Sequence, residues 1–193
     1  MKQEEKNRRS RELILTYAFE EFAAHGYSGA GLNQICTRGH ISKGLLYHYY
    51  AGKDALYMAC VERLFTEMTA ALRELIDPEH VTVEGYFEAR MRFFRDHPQH
   101  RQLFYDVLMY PQSHLAEQIH KCREGFDRFN DNALRALLSR EKLADGVMIE
   151  EAIGQFRSFV NFLGVYVRDS SNADAEQKTS ALLRTLLYGL ISR

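Results

Sequence analysis

The sequence is poor in proline, in cysteine and in long apolar runs. Three of its 193 residues are proline, and strand-like alternation of apolar and polar residues is scarce, which favours an all-α fold. The three cysteines, Cys36, Cys60 and Cys122, are far apart and odd in number. They give neither a disulfide framework nor a metal-binding pattern, and we expect reduced thiols. Because no run reaches the length of a membrane span and the charged N-terminus has no apolar core, we predict a cytoplasmic protein without a membrane partner.

Charge is distributed unevenly along the chain. The net charge is −1, which by itself argues against a generic nucleic-acid binder. Residues 1–53, however, hold 8 Lys and Arg against 5 Asp and Glu, whereas residues 54–193 hold 17 against 21. A basic N-terminal part followed by an acidic remainder is typical of a protein that contacts DNA with one end.

Residues 32–53 have the pattern of two short helices joined by a tight turn. The first helix covers about residues 32–38, the turn covers 39–41, and the second helix runs from Ser42 to about Tyr49. One side of the pair is apolar, with Ile35, Ile41, Leu46 and Tyr50. The other side suits a helix that lies in a DNA major groove, because it carries donors, a cation and one small apolar surface: Ser42, Lys43, Leu45, Tyr47 and His48.

This segment is similar to the helix-turn-helix of the tetracycline-repressor (TetR) family of transcriptional regulators. The similarity covers about residues 10–58 and rests on Ile35, the turn that ends at Ile41, and the runs SKG (42–44), LYHYY (46–50), GKDAL (52–56) and FAAHGY (22–27). It implies an all-α protein with an N-terminal three-helix helix-turn-helix head, residues 1–53. The C-terminal helical body, residues 54–193, is expected to bind a ligand and to dimerise.

The resemblance also implies which residues contact DNA. Ser42 is expected to cap the second helix, Lys43 to reach a phosphate or a base edge, and Gly44 to allow close approach. Tyr47 and Lys53 are expected on phosphates, and His48 on a phosphate or a base edge. Leu45 has two interpretations, a thymine-methyl contact or a core position. The predicted DNA-binding set is therefore Ser42, Lys43, Gly44, Leu45, Tyr47, His48 and Lys53.

Two positions depart from the usual residues of that family. Ala30-Gly31 stands where Thr or Ser commonly caps the first helix of the motif, so a phosphate contact there must come from backbone N–H groups. His40 stands where Gly is usual, and His tolerates a left-handed backbone less readily. Either the turn is slightly strained, or His40 itself faces a phosphate or solvent.

Helical spacing predicts the rest of the layout. A first helix runs from about Arg8 to His25 and ends at Gly26, and its Ile14, Ala18 and Phe22 can cover the apolar side of the motif. Residues 1–9 are expected to be frayed or to form a basic arm near phosphate. Further helices follow at about 53–75, 83–96, 99–110, 113–139, 149–168 and from 174 onward.

The C-terminal part is rich in aromatic residues. Most of them are explained as plain core, but some are candidates for the lining of an apolar ligand cavity. That candidate set is Met91, Phe94, Phe104, Phe126, Phe129 and Phe159. The helix over 149–168 is apolar almost all round in its second half, and it pairs naturally with the last helix. Two such hairpins across a two-fold axis predict a homodimer and a near-palindromic operator.

We therefore predict a homodimeric TetR-type regulator, a repressor that binds double-stranded operator DNA and is released by a small apolar or aromatic effector. No catalytic residue, metal or cofactor is expected, since the histidines lack HExxH or Cys-rich context and no catalytic motif is present. Two alternatives stay open. One is a sensor or adaptor of the same fold that no longer binds DNA, and the other is an all-α enzyme that uses the aromatic cavity.

Overall fold

The regular elements of the protein are helical. The computed structural model describes residues 3–77, 79–168, 181, 182 and 185, and no β-strand occurs among them, which confirms the predicted all-α class. The predicted last helix, from about residue 174, falls outside the described residues except for 181, 182 and 185. The elements are α1 (Gln3–Gly29), α2 (Leu32–Arg38), α3 (Lys43–Tyr49), α4 (Lys53–Leu75), α5 (Val83–Asp96), α6 (Pro98–Met109), a short 3-10 helix (Ser113–Leu115), α7 (Ala116–Leu138) and α8 (Ile149–Arg168).

The predicted start of the first helix at Arg8 was wrong. α1 begins at Gln3, because polar pairs one turn apart support a segment that has no apolar stripe. The amide of Gln3 donates to Asn7 at 3.0 Å, and Arg9 pairs with Glu5 at 2.8 Å. The predicted break at Gly26 is present inside α1, where Gly26 has φ 64° and separates two helical segments.

The described chain divides into two compact units. One comprises Met1–Met68 and Asp96–Gly125, and the other comprises Thr69–Arg95 and Phe126–Arg193. This grouping by packing differs from the functional division at residue 53, which stays a prediction. Among the described residues, no helix combines the length and apolar character needed to cross a membrane.

The first unit is built on α1. Its predicted stripe of Ile14, Ala18 and Phe22 is fully buried. α1 packs against α2 and α6, and the apolar side predicted for the two short helices is buried as well, at Ile35, Ile41, Leu46 and Tyr50. Helices of seven residues are marginal alone, so this shared core is what holds α2 and α3.

The second unit contains a polar group inside an aromatic core. Arg90 is 1% exposed; its guanidinium donates to Asn161 at 3.1 Å and lies 5.6 Å from the centroid of the Phe126 ring. The buried Tyr86 hydroxyl donates to Asn130, whose amide donates to the Phe126 carbonyl at 2.6 Å. Hydrogen bonds and a cation–π contact thus stabilise the Arg90 guanidinium, the Tyr86 hydroxyl and the Asn130 amide in this core.

A part-buried His–Glu pair connects α6 to α4 within the first unit. His100 Nε2 lies 2.5 Å from Glu67 Oε2, and Glu67 also accepts a hydrogen bond from Arg63 at 2.8 Å. Burial lowers the pKa of His100, against the opposing effect of the Glu67 carboxylate. Burial alone would raise the pKa of Glu67, but hydrogen bonds from His100 and Arg63 outweigh it and lower that pKa. Both shifts fit a neutral imidazole that donates Nε2–H to an ionised carboxylate.

This pair predicts a pH-dependent stability. Because the pKa of His100 is lower in the folded state than its unfolded value of about 6.5, the unfolded chain binds more protons just below that pH. The free energy of unfolding should therefore fall as pH drops from about 7.5 to about 5.5. We expect His100→Gln to lose less stability over this range than the wild type, measured by urea denaturation.

A matched control is His120→Gln, since His120 is exposed on α7 in the same unit. It should keep the wild-type pH dependence. Equal pH dependence in His100→Gln and the wild type would contradict the assignment of a neutral, part-buried His100.

Candidate nucleic-acid interface

The N-terminus of α2 is capped from another helix. Its N-cap is Gly31, which has an extended backbone and no capping side chain of its own. The Gly31 N–H donates instead to the carboxylate of Glu21 on α1, at 3.2 Å. A carboxylate beside the first turn of a helix satisfies a free N–H and is favoured by the helix dipole. A Ser or Thr N-cap would accept from an N–H two or three residues further on, so this contact satisfies a different donor and does not replace that cap.

Sequence analysis missed the role of Glu21. This side chain is 3% exposed although it is charged, and Arg38 on α2 balances it, with Nη1 3.6 Å from Glu21 Oε2. Arg38 also donates to Glu20 at 2.6 Å. Helical spacing predicts that Glu21 is buried, because it lies seven residues after the buried Ile14 and thus on the same face of α1.

The turn between α2 and α3 has a left-handed residue at His40. His40 has φ 50° and is exposed, which agrees with the interpretation that this turn is slightly strained. Gly39 before it cannot be replaced easily, because a Cβ there would lie 2.5 Å from Ile41 Cδ1 and 2.8 Å from Tyr17 Cδ2. The Ile41 N–H donates to the Cys36 carbonyl at 2.9 Å and closes the turn.

α3 presents a polar face to solvent. Ser42 is its N-cap, as predicted, and the hydroxyl oxygen accepts a hydrogen bond from the Leu45 N–H at 3.1 Å. Leu46 fixes the inner face of the helix at 0% exposure, whereas Tyr47 on the outer face is 54% exposed. Ser42, Lys43, Gly44 and His48 are exposed as well.

Two predicted contact residues on α3 have distinct surroundings. Leu45 is half-buried, so its two interpretations, a base contact or a core position, both stay open. The exposed His48 ring packs edge-on against Tyr49, with centroids 4.8 Å apart. A Cβ added to Gly44 would meet no atom within 4 Å, so the fold itself does not need glycine at this position.

Lys53 lies at the start of α4, beside the end of α1. Its ammonium nitrogen is 4.9 Å from the centroid of the Tyr27 ring and 3.4 Å from the Ser28 carbonyl oxygen. Tyr27 in turn donates its hydroxyl hydrogen to Asp54, and Asp54 lies 3.3 Å from His114 Nε2. Half-buried Lys53 is thus oriented by a cluster that sequence analysis did not identify.

The ionisation of this cluster follows from its hydrogen bonds. The hydrogen bond to Asp54 raises the pKa of Tyr27, with burial adding to it. The same bond, together with His114 and Lys53, lowers the pKa of Asp54. An ionised Asp54 therefore lies beside the predicted phosphate contact and offsets part of its charge.

The six predicted ligand-cavity residues do not all belong to one unit. Phe104 is buried in the first unit, where its ring lies 6.2 Å from that of Phe65. The other five, Met91, Phe94, Phe126, Phe129 and Phe159, belong to the second unit. Phe94 and Phe126 are buried there, and the other three are half-buried. Their role in ligand binding stays a prediction. No group of three or more His, Cys, Asp or Glu side chains within the described part of the chain is arranged for a metal ion.

Three helices with a capped, outward-facing third helix define a helix-turn-helix protein, the class in which the second helix of the motif enters the major groove. Residues 14–60 match the family described as bacterial regulatory proteins, tetR family. The N-terminal segment that contains α2, α3 and the start of α4 is thus similar to the TetR family.

Relatives matched by sequence carry the names of transcriptional regulators. The HTH-type transcriptional repressor SCO4008 of Streptomyces coelicolor is 28% identical over 126 residues, which are 60% of this chain and 64% of that protein. The HTH-type transcriptional regulator RutR of Escherichia coli is 31% identical over 97 residues, 49% of this chain and 45% of that protein. In neither case does the similarity span two thirds of the relative.

Solved structures share the fold over most of the chain. FadR of Bacillus subtilis, in complex with stearoyl-CoA, superimposes with a TM-score of 0.74 at 15% identity and covers 93% of this chain and 98% of its own. A TetR-family regulator from Shewanella superimposes with a TM-score of 0.71 at 17% identity and covers 95% and 99%. The predicted arrangement of an N-terminal helix-turn-helix head and a helical body is thereby confirmed.

The left-handed residue in the turn leads to a stability prediction. A left-handed backbone costs a residue with a Cβ about 1–2 kcal/mol, while glycine costs about 0.5–1 kcal/mol through the entropy of the unfolded chain. We expect His40→Gly to equal the wild type or exceed it by up to about 1 kcal/mol. His40→Ala, which keeps the Cβ, should be no more stable than the wild type. Urea denaturation at neutral pH measures both, and a His40→Gly protein less stable than His40→Ala would contradict the strain.

Proposed function

We propose that this protein is a homodimeric transcriptional regulator, a repressor, whose head at residues 1–53 binds a near-palindromic operator. The observation that carries the proposal is the outer face of α3. Its side chains are exposed while Leu46 and Tyr50 anchor the helix in the core. A short helix held rigidly with donors facing outward suits the major groove, where base edges present distinct patterns of donors and acceptors.

The family gives this proposal its second support. The matched segment, residues 14–60, contains α2 and α3 with the start of α4, and relatives matched by sequence carry the names of transcriptional repressors and regulators. The charge distribution agrees with it, since the head has a net charge of +3 and the remainder −4.

The body is proposed to dimerise and to bind a small apolar or aromatic effector. Phe162 on α8 is 59% exposed, and a large aromatic side chain on the outside of a helix is a candidate for burial against a second copy. Five of the predicted cavity residues belong to the second unit, as does the buried Arg90, which lies 5.6 Å from the centroid of the Phe126 ring. Such a mixture of aromatic surface and a few polar atoms is typical of ligand sites.

In the proposed mechanism, the effector shifts the equilibrium between two conformations of the dimer that differ in the spacing of the heads. The two heads of a dimer read successive major grooves only when their spacing matches one helical turn of DNA. An effector that prefers another spacing stabilises that state by its difference in affinity, and the operator is released.

The adaptor alternative is less attractive than the sequence suggested. It rested on Ala30-Gly31 and His40. The N–H of Gly31 is satisfied by Glu21 at 3.2 Å, and His40 adopts the left-handed backbone that the turn needs. Neither departure changes the exposed face of α3.

Selection of bound sequences from a random duplex pool tests the proposal directly. The purified protein in moderate salt should enrich one near-palindrome with two equal half-sites. An intact dimer by sedimentation that enriches no sequence, even after removal of bound small molecules by dialysis under mild denaturation and refolding, would argue against a DNA-binding regulator.

Variants of Lys53 and Leu45 distinguish a phosphate contact from a base contact. If Lys53 binds a phosphate, Lys53→Ala should weaken binding to all DNA sequences alike. It should also reduce the slope of log K against log salt concentration by about one unit per head. Leu45→Ala should keep the slope and change the preferred base near its position. Fluorescence anisotropy over a salt series measures both variants on the selected operator and on a scrambled duplex. A specificity change in Lys53→Ala without a change of slope would show that the phosphate assignment is wrong.

A further inference from the structure

The first two turns of α1 lie against the C-terminal end of α3, the helix proposed to enter the major groove. The Tyr49 hydroxyl, at the last residue of α3, donates to Asn7 Oδ1 at 3.2 Å. One turn further along α1, the Arg11 guanidinium lies 5.6 Å from the centroid of the Tyr49 ring. Tyr49 also packs edge-on against His48, a predicted DNA contact. The N-terminal segment is therefore docked beside the predicted interface, in a defined position.

This segment carries more positive charge than its ion pairs use. Glu5 is paired with Arg9 at 2.8 Å, and Glu12 with Arg63 at 3.0 Å. Lys6 and Arg8 are exposed, and neither forms an ion pair with another residue in the described part of the chain. Arg11 has a different role, because it stacks on Tyr49 and lines a groove of about 390 Å³ together with Tyr50 and Arg63.

Helix geometry places the two cations on either side of the docking contact. Successive residues of an α-helix are about 100° apart around the axis. Since Asn7 faces α3, Lys6 and Arg8 project to its two flanks. Arg9 lies about 200° from Asn7 around the same axis, on the far side, where it is paired with Glu5.

We propose that the first two turns of α1 form a second part of the DNA interface, in which Lys6 and Arg8 bind phosphate oxygens beside the groove that α3 enters. Tyr49 is the positioning residue that holds this basic segment through Asn7. The segment adds affinity without sequence preference, because phosphates are the same along the duplex. This inference rests on the proposed function, since it assumes that α3 faces DNA.

A salt series tests the inference with the full-length protein and a short duplex of mixed sequence, so that no operator needs to be known. The slope of log K against log salt concentration should fall by about one unit for each phosphate that is no longer bound. The Lys6→Ala/Arg8→Ala double variant should therefore lower the slope by about one to two units per head. Arg9→Ala, which removes the same kind of charge from the far side of the same helix, should keep the wild-type slope. Circular dichroism checks that both variants remain folded.

Tyr49→Phe examines the positioning role separately. If Tyr49 acts through the basic segment, Tyr49→Phe should weaken binding in the wild-type background and have no further effect in the Lys6→Ala/Arg8→Ala background. An equal loss of affinity in both backgrounds would mean that Tyr49 does not act by holding this segment, and would overturn that part of the proposal.

The possible outcomes distinguish the two proposals. The wild type and the double variant could show the same steep slope of log K against log salt concentration. That result would overturn the role of Lys6 and Arg8 and leave the regulator function intact. Equal reductions of slope in the double variant and in Arg9→Ala would show a general charge effect and would also overturn it. Wild-type protein without any salt-dependent binding would contradict both proposals at once.

Discussion

The helix-turn-helix depends on the buried stripe of α1. α2 and α3 have seven residues each, too few to form stable helices in water without tertiary contacts. They persist because α2 packs against both α1 and α3, and Ile14, Phe22, Ile35 and Leu46 are all 0% exposed. Burying such side chains stabilises each by about 1.5–3 kcal/mol. The outward direction of α3 is a consequence of this packing, since a helix whose inner face is fixed has no freedom to turn its outer face away.

The two departures from the usual family residues are accommodated by different means. At Gly31 the fold supplies an acceptor for the N–H of the N-cap residue, because Glu21 reaches across from α1 and Arg38 balances its charge. At His40 the fold supplies no substitute, and the residue adopts the left-handed backbone with φ 50°. The first solution places a buried carboxylate in the core of the head, and the second stores a small strain at the turn.

Much of this fold could be predicted from the sequence, because apolar spacing determined most of it. The bounds of α2, α4, α5 and α8, and the cap at Ser42, agree with the sequence prediction. The start of α1 could not be found in that way, since residues 3–9 contain no apolar residue and are held by polar pairs and by Tyr49. Contacts between side chains far apart in sequence were equally inaccessible. Asp54 on α4 and His114 in the 3-10 helix are separated by several helices, and no periodicity relates them.

The contacts among Tyr27, Lys53, Asp54 and His114 show why a boundary drawn at residue 53 does not follow the packing. Lys53 closes the predicted head, yet its ammonium group lies over Tyr27, which is bonded to Asp54, and His114 from the short 3-10 helix completes the group. α6 likewise packs on α1, and its Asp106 accepts a hydrogen bond from Tyr57 at 3.3 Å. Segments late in the chain thus fix the position of a predicted phosphate contact early in it. We therefore expect a change at His114 to alter the orientation of Lys53 without touching α3, because His114 contacts Asp54, and Asp54 is hydrogen-bonded to the tyrosine over which Lys53 lies.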